Sequence, residues 1–380
     1  MKQNKTIYYL AHYDENVENS NAVLSAVNKV NYIIDTLVDI GYNIEIISAR
    51  TKYSDTKVSG FCKEIRKGIR LRTFDCERGG NIFRRFIRRI KLNKEVKKYL
   101  LNNVKVDDTL IIYHSLGYAR LYDKIKKQTG AKVIIEAEEI YSDVSKCRGF
   151  TRKKELRCLT FADGYIFPTE LLNATVNQNN KRYVIIYGTY KVETECGQPF
   201  NDGRIHIVYA GTFDPRKGGA AAAAAAAEFL DNRYHVHILG FGSDSDKNFL
   251  LKTIGETQKK TKCLITFEGL KSGKEYIEFI QSCDVGLSTQ NPKAAFNDTS
   301  FPSKILSYMA NGLRVVSIRI PAIEKSKIGK YMYYYKQQAP DKIAEAIKNV
   351  DFNDNYNGRG IIKEFDEKFK VETSSFLESL

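Results

Sequence analysis

Short apolar runs alternate with amphipathic helical stretches along almost the whole chain, and this alternation limits the fold more than any other feature. In the first half the apolar runs fall at residues 7–11, 44–48, 109–113, 132–136, 165–168 and 184–187. Helical patterns lie between them, among them 22–40 and 116–129, each followed by a glycine (Gly41, Gly130) of the kind that stops a helix. A second series of apolar runs follows at 205–210, 235–239, 263–267, 284–289, 314–318 and 331–335. Strands alternating with helices predict an α/β chain built on parallel, doubly wound sheets. With 380 residues there is room for two such domains. The expected division is a first domain over 1–188, a polar, aperiodic linker over 189–204, a second domain over 205–350, and a closing helical segment over 351–380 carrying Phe365, Phe369 and Phe376 as apolar anchors. Two such halves would leave a cleft between them, and ligands of such sheets bind at the carboxyl ends of the strands.

Several function classes drop out at once. No run of 18 apolar residues offers a transmembrane helix. The opening MKQNKTIYYLAHYD reads as a first strand rather than a signal peptide. Seven cysteines are scattered without a C-x-x-C pair, so neither a disulfide framework nor a zinc ribbon is expected, and a reducing cytosol fits. Five dispersed histidines, with no H-E-x-x-H, argue against a metalloenzyme. No glycine follows the first strand, which excludes the G-x-G-x-x-G fingerprint of a nicotinamide dehydrogenase.

The net charge of +15 is concentrated. Between Gly60 and Lys105 there are 15 Lys or Arg against 4 acidic residues. At its centre Ile82, Phe83, Phe86, Ile87 and Ile90 recur at helical spacing, with Arg84, Arg85, Arg88, Arg89 and Lys91 on the other face. A basic amphipathic helix suits an anionic membrane surface. The plainer alternative is a surface helix docked by its apolar side. No nucleic-acid fold signature accompanies the charge, so nucleic acid is not an expected partner.

Three segments could carry chemistry. In YAGTFDPRKGG a strand ends at Ala210, a loop begins with Gly211 and Thr212, and Arg216, Lys217, Gly218 and Gly219 lead into eight consecutive alanines, 220–227, which predict a helix. Small residues, cations and a helix N-terminus together suit a phosphate, although this is not a Walker A loop and a plain turn has the same look. In FNDTSFPSKILSYMANGLRVVS, Pro302 opens a helix with Ser303 and Lys304 in its first turn, ready for a diphosphate, although Ser303 taken alone reads more readily as a cap. In ILGFG a strand runs into Gly240 and Gly242, a weaker signal for a nucleotide.

With these three motifs at this spacing, residues 205–349 resemble the donor-binding half of the GT-B glycosyltransferases, in particular the retaining family 4, or group 1. The resemblance implies that Lys217 contacts the diphosphate of a nucleotide-sugar together with Gly211, Thr212 and Arg216. Ser303 and Lys304 would cradle the same phosphates, and Gly240 and Gly242 would lie near the nucleotide. It also implies retention of anomeric configuration, a UDP-sugar donor, a final helix crossing back to the first domain, and catalysis without metal or cofactor; Asp244-x-Asp246 is only a loose Asp-x-Asp match. The family's two glutamates, eight positions apart, fall on Thr299 and Ser307, with Asp298 beside the first, and the arginine usual after the first glycine is Thr212.

In the first half, strand ends place His12 and Asn21 on the acceptor side. His114 follows one strand, and Glu136, Glu138, Glu139 and Tyr141 follow another. A carboxylate here could orient an acceptor hydroxyl, which makes Glu138, Glu139 and His114 the catalytic candidates, against the alternative of solvated loop residues. The expectation is a cytosolic enzyme, peripheral at the inner face of the membrane, that transfers sugar to a glycan, lipid-linked in cell-surface polysaccharide synthesis. A sugar-nucleotide epimerase and a non-catalytic partner subunit are the alternatives.

Overall fold

The computed structural model describes residues 5–15, 24–49, 58–75, 81–119, 121–144, 151–215, 219–293, 297 and 299–380. The chain forms two compact units, Met1–Ile186 with Lys368–Leu380, and Tyr187–Glu367.

In chain order the first unit contains β1 (Thr6–Ala11), α1 (Leu24–Asp39), β2 (Asn43–Ser48), β3 (Cys62–Arg66), β4 (Ile69–Thr73), α2 (Ile82–Asn103) and β5 (Thr109–Tyr113). It continues through α3 (Tyr122–Thr129), β6 (Lys132–Glu136), α4 (Tyr141–Val144), α5 (Arg152–Leu159), β7 (Gly164–Phe167), α6 (Glu170–Val176) and β8 (Arg182–Ile185). The sheet order is β3-β4-β2-β1-β5-β6-β7-β8, parallel except for the β3–β4 pair. Central strands such as TLIIY and KVIIE are apolar on both faces because helices cover both sides of a parallel sheet. Their side chains, with Val96 and Leu100 of α2, form one core. Each fully buried Leu or Ile in it contributes about 1.5–3 kcal/mol.

Two differences from the sequence expectation have clear causes. The β3–β4 hairpin hides in the basic run, where IRLRT does alternate at the strand period but its charges dominate the pattern. Lys and Arg on an edge strand discourage pairing with other chains. The helix expected from 116 begins only at Tyr122, since Ser115 O accepts both the Tyr118 and Ala119 amides in a turn.

The second unit contains β9 (Ile205–Thr212), α7 (Ala220–Ala226), β10 (Tyr234–Phe241), α8 (Asp244–Gln258), β11 (Leu264–Gly269), α9 (Gly273–Gln281) and β12 (Val285–Ser288). After these come α10 (Lys304–Ala310), β13 (Arg314–Ile318), α11 (Pro321–Glu324), β14 (Met332–Tyr335), α12 (Pro340–Lys348) and the first part of α13 (Gly358–Glu378), whose residues from Lys368 on belong to the first unit. Its parallel sheet has the order β11-β10-β9-β12-β13-β14. The alanine run forms α7 as expected, and its lack of bulk permits a close seat. A Cβ on Gly219, just before α7, would lie 1.7 Å from Thr289 O.

Residues 189–204 have no helix or strand and are strapped to the second unit. The Cys196 and Gly197 amides donate to Gln281 Oε1 at 2.7 and 2.8 Å, and Arg359 donates to Glu193 O at 2.8 Å. The anchors of α13 serve both units. Phe365 packs on Tyr190 at 5.5 Å, Phe369 stacks on Tyr32 at 5.8 Å, and Phe376 fills the space that glycine leaves at position 164. Among the described residues no helix is long and apolar enough to cross a membrane.

Candidate functional site

The strongest cluster in the second unit forms where β9 and β10 end. Their register sets Gly240 beside Gly211 and Phe241 beside Thr212. Gly240 has φ +141°, and a Cβ there would lie 1.7 Å from Gly211 O, so glycine is required. Lys304, the first residue of α10, brings its Nζ to 4.2 Å from the centre of the Tyr209 ring. The same atom lies 3.0 Å from where a Cβ on Gly211 would stand, so the glycine leaves room for the ammonium. Among the described residues no carboxylate pairs with Lys304, and burial pushes its pKa down to about 8. Among the described residues only an aromatic face answers the charge of this cation.

Tyr308 locks α10 in place. It is fully buried, its hydroxyl oxygen accepts the Ala210 amide at 2.8 Å, and Gly286 makes room for its ring. Ser303 is exposed and makes no capping hydrogen bond, so the cap reading of that serine does not hold. Ser307 lies 3.4 Å from the Tyr276 hydroxyl, and Thr299 is half-buried. Gly242 is exposed, and a Cβ there would press on Phe213. Arg216, Lys217 and Asp298 lie outside the described residues. Asp244 and Asp246 are first-turn acids of α8, where Ser243 caps the Asp246 amide; they form a helix start rather than an ion-binding pair. A cavity of about 670 Å³ opens beside the start of α7, bordered by Phe213, Gly219, Lys293 and Lys336, and none of Gly211, Gly240, Ser303 or Lys304 lines it.

In the first unit the candidates separate. His114 is not accessible. Its Nε2 pairs with Glu155 Oε1 at 2.8 Å, and both side chains are fully buried. Glu155 also accepts the Tyr141 and Ser142 amides at 2.8 and 2.9 Å. Burial alone would raise the Glu155 pKa, but the hydrogen bonds from His114 and Ser142 outweigh it and the pKa lies below its ordinary value. The catalytic expectation for His114 is therefore corrected: the pair pins α4 and α5 to the end of β5. The sequence could not show this, because the partner lies 41 positions away.

Glu138 is better placed. Lys29 Nζ donates to Glu138 Oε1 at 2.6 Å and to Ile186 O at 3.1 Å. Beside it Glu136 is fully buried, accepts the Tyr9 hydroxyl, and leaves Oε1 without a partner. Lys29 and Tyr9 are residues that sequence reasoning missed; a lysine on the buried face of an amphipathic helix was the available signal. Glu139 is half-buried next to this cluster. Burial first, then the charge of Glu138, push Glu136 from 4.5 up to about 8. A raised folded-state pKa contributes stability that is complete below about 4.5 and is lost as pH rises through about 8. Melting temperature should therefore fall across that window, and Glu136→Gln, which mimics the protonated acid, should flatten the fall. Thermal melts over a pH ladder check this, and an unchanged slope in the variant counts against it.

His12 stacks on Tyr118 with ring centres 4.8 Å apart. Arg89 reaches the same corner, its Nη2 lying 2.9 Å from where a Cβ on Gly117 would stand. Asn21 lies outside the described residues. The other basic residues of the helix, Arg84, Arg85 and Lys91, are exposed, and Arg88 is half-buried. Exposed with them are Ile82, Phe83, Phe86, Ile87 and Ile90, so the apolar side of the first turns of α2 does not dock on the described residues.

Comparison with known proteins agrees with this architecture. The profile of the family described as "Glycosyl transferases group 1" matches residues 204–350. No curated protein matches the chain. Among solved structures, an E. coli protein titled trehalose-6-phosphate, bound with UDP-2-fluoro glucose, is 12% identical with a TM-score of 0.70, covering 99% of this chain and 98% of that one. A Burkholderia xenovorans α,α-trehalose-phosphate synthase (UDP-forming) in complex with glucose-6-phosphate is 10% identical with a TM-score of 0.65, covering 99% of each chain. The catalytic domain of Arabidopsis thaliana starch synthase IV, bound to ADP and acarbose, is 11% identical with a TM-score of 0.61, covering 97% and 99%. The chain thus has the GT-B glycosyltransferase fold, and residues 204–350 of its second unit carry the match to the group 1 glycosyl transferases.

Proposed function

We propose that the protein is a glycosyltransferase that takes a sugar from a nucleoside-diphosphate donor, with uridine as the base, and passes it to a glycan acceptor. The observation that carries this reading is Lys304: a largely buried ammonium without a carboxylate partner among the described residues, set between the strand-end Gly211 and the face of Tyr209. A diphosphate supplies the missing charge. As the bond from the anomeric carbon to the diphosphate breaks and the bond to the acceptor oxygen forms, negative charge grows on the leaving phosphate. Lys304 and the amides opening α10 oppose that charge without reorganising. The route is retaining and needs no metal. In the first unit Glu138, held by Lys29, orients the acceptor hydroxyl. The solved structures of this fold with UDP-2-fluoro glucose and with ADP support a nucleoside diphosphate donor.

The exposed apolar and basic face of α2 suits an anionic bilayer, and it supports an enzyme at the inner membrane surface with a lipid-linked acceptor, in polysaccharide synthesis. A second reading, a non-catalytic partner subunit, is favoured by one observation, the hydroxyls Thr299 and Ser307 where family 4 carries carboxylates. A panel of UDP, GDP, ADP and CMP in thermal-shift assays, followed by donor turnover, separates the two. One diphosphate raising the melting temperature, with release of that diphosphate from its sugar donor, is the expected result. A bound nucleotide without turnover supports the partner subunit, and no shift with any nucleotide overturns the donor site itself.

A further inference from the structure

Three of the five histidines that look dispersed in the sequence meet at the end of the second sheet opposite the glycine pair. His206 on β9 is in register with His235 on β10, and His237, two residues further, faces the same side. One ring nitrogen from each lies within 4.8 Å of the other two. His206 Nδ1 and His237 Nε2 are 2.9 Å apart. The outer nitrogens are held: His206 Nε2 by Asp202 at 2.9 Å, His237 Nδ1 by Glu268 at 2.8 Å, and His235 Nε2 by Thr266 at 2.6 Å. His235 Nδ1 is buried and has no partner.

The hydrogen-bond logic leaves a gap. A carboxylate accepts hydrogen bonds and does not donate them, so with Asp202 at 2.9 Å the His206 proton sits on Nε2. With the Glu268 carboxylate accepting at 2.8 Å, the proton of His237 sits on Nδ1. The two inner nitrogens then turn lone pairs toward each other at 2.9 Å, an arrangement that needs a positive centre between them.

We propose that His206, His235 and His237 form a binding site for a divalent transition metal, zinc first, remote from the donor-site residues. Carboxylates behind two of the histidines fix tautomer and ring orientation, as the outer partners of zinc-bound histidines do. Phe200 stacks on His206 at 4.0 Å and Phe279 stands edge-on to His237 at 5.2 Å, giving the site an apolar wall. Tetrahedral zinc with bonds of about 2.0–2.1 Å spaces its nitrogens by about 3.4 Å. The His206–His237 pair is near that spacing, and half-buried His235 is the ring that swings in and the route of entry. Water completes the coordination. Because Asp202 and Phe200 belong to the 189–204 segment, the ion would tie that segment to the sheet.

The test uses untagged full-length protein stripped with a chelator. Titration with zinc should show one ion per chain and raise the melting temperature by about 5–10 °C at a hundredfold excess over the dissociation constant. Cobalt(II) should give the visible bands of a tetrahedral nitrogen site without sulfur charge transfer. His235→Asn, on the half-exposed ring, should fold normally and bind zinc at least tenfold more weakly, and Thr266→Val should weaken binding by about 10–100-fold. Failure to take up zinc or cobalt overturns the proposal in favour of a proton shared among the rings. Uptake that His235→Asn leaves unchanged, or a cobalt–sulfur band, places the metal elsewhere and overturns it too.

Discussion

Lys304→Met should make the free protein more stable and at the same time abolish its response to nucleoside diphosphates. Burial lowers the Lys304 pKa from 10.5 to about 8, so at neutral pH the native state holds a proton it binds poorly. The penalty is about 3 kcal/mol below pH 8, and the Tyr209 face reduces it. The sign follows from proton counts. Between pH 8 and 10.5 the unfolded chain binds more protons at this site than the native one, so stability contributed by Lys304 rises through that window. Methionine has similar length and no charge, and removes both the penalty and the rise. A bound diphosphate reverses the balance by favouring the ammonium. Losing a charge-assisted contact of up to about 3 kcal/mol weakens nucleotide binding by about 100-fold. In the wild type, affinity should decline above pH 8 for the same reason. Melting curves of both proteins with and without nucleotide read all of this. A variant that binds the nucleotide as tightly as wild type would remove Lys304 from the donor site.

The difference between what could and could not be read from the sequence follows the range of the interactions. Strand–helix alternation is local, and it anticipates both parallel sheets, the alanine helix and the closing helix with its three phenylalanines. Gly211, Gly240 and Lys304 were legible as separate motifs because strand ends and helix starts have local signatures. Their convergence on one ammonium was not, since it depends on the β9–β10 register and on Tyr308 bridging 98 positions to Ala210. The same limit explains His114. A histidine after an apolar strand looks accessible until Glu155 folds over it. It also explains Lys29 and Tyr9, whose meaning lies in the two glutamates they meet across the sheet. The β3–β4 hairpin was missed for another reason: charge masked a period-two pattern that was present. Contacts between distant elements, rather than weak local preference, separate the legible residues from the rest.

The second large expected effect is on membrane attachment through α2, as proposed above. The helix is secured at its far end, where Val96 and Leu100 are buried, and at its start, where Asn81 accepts the Arg84 amide at 3.0 Å. Between these points Ile82 is 85% exposed and Phe83 67%, far more than an apolar side docked on its own protein would be. Replacing Arg84, Arg85, Arg88 and Lys91 with glutamine keeps good helix formers while removing four charges. At about 1 kcal/mol for each basic residue near an anionic surface, the loss is about 4 kcal/mol, or about a thousandfold in vesicle partitioning. Arg89 is left in place because it packs beside Gly117 and its loss would disturb the His12 corner. Flotation with vesicles rich in anionic lipid should therefore carry the wild type and leave the quadruple variant behind. Rising salt should weaken wild-type binding as the screening length shortens. Phe83→Ser with Phe86→Ser should weaken it by the apolar route while leaving the salt dependence intact. Both routes are needed, because charge without the phenylalanines would also suit a polyanion in solution. Wild-type protein that stays at the bottom of the gradient at low salt would return α2 to an ordinary surface helix, and the lipid-linked acceptor would lose its main support.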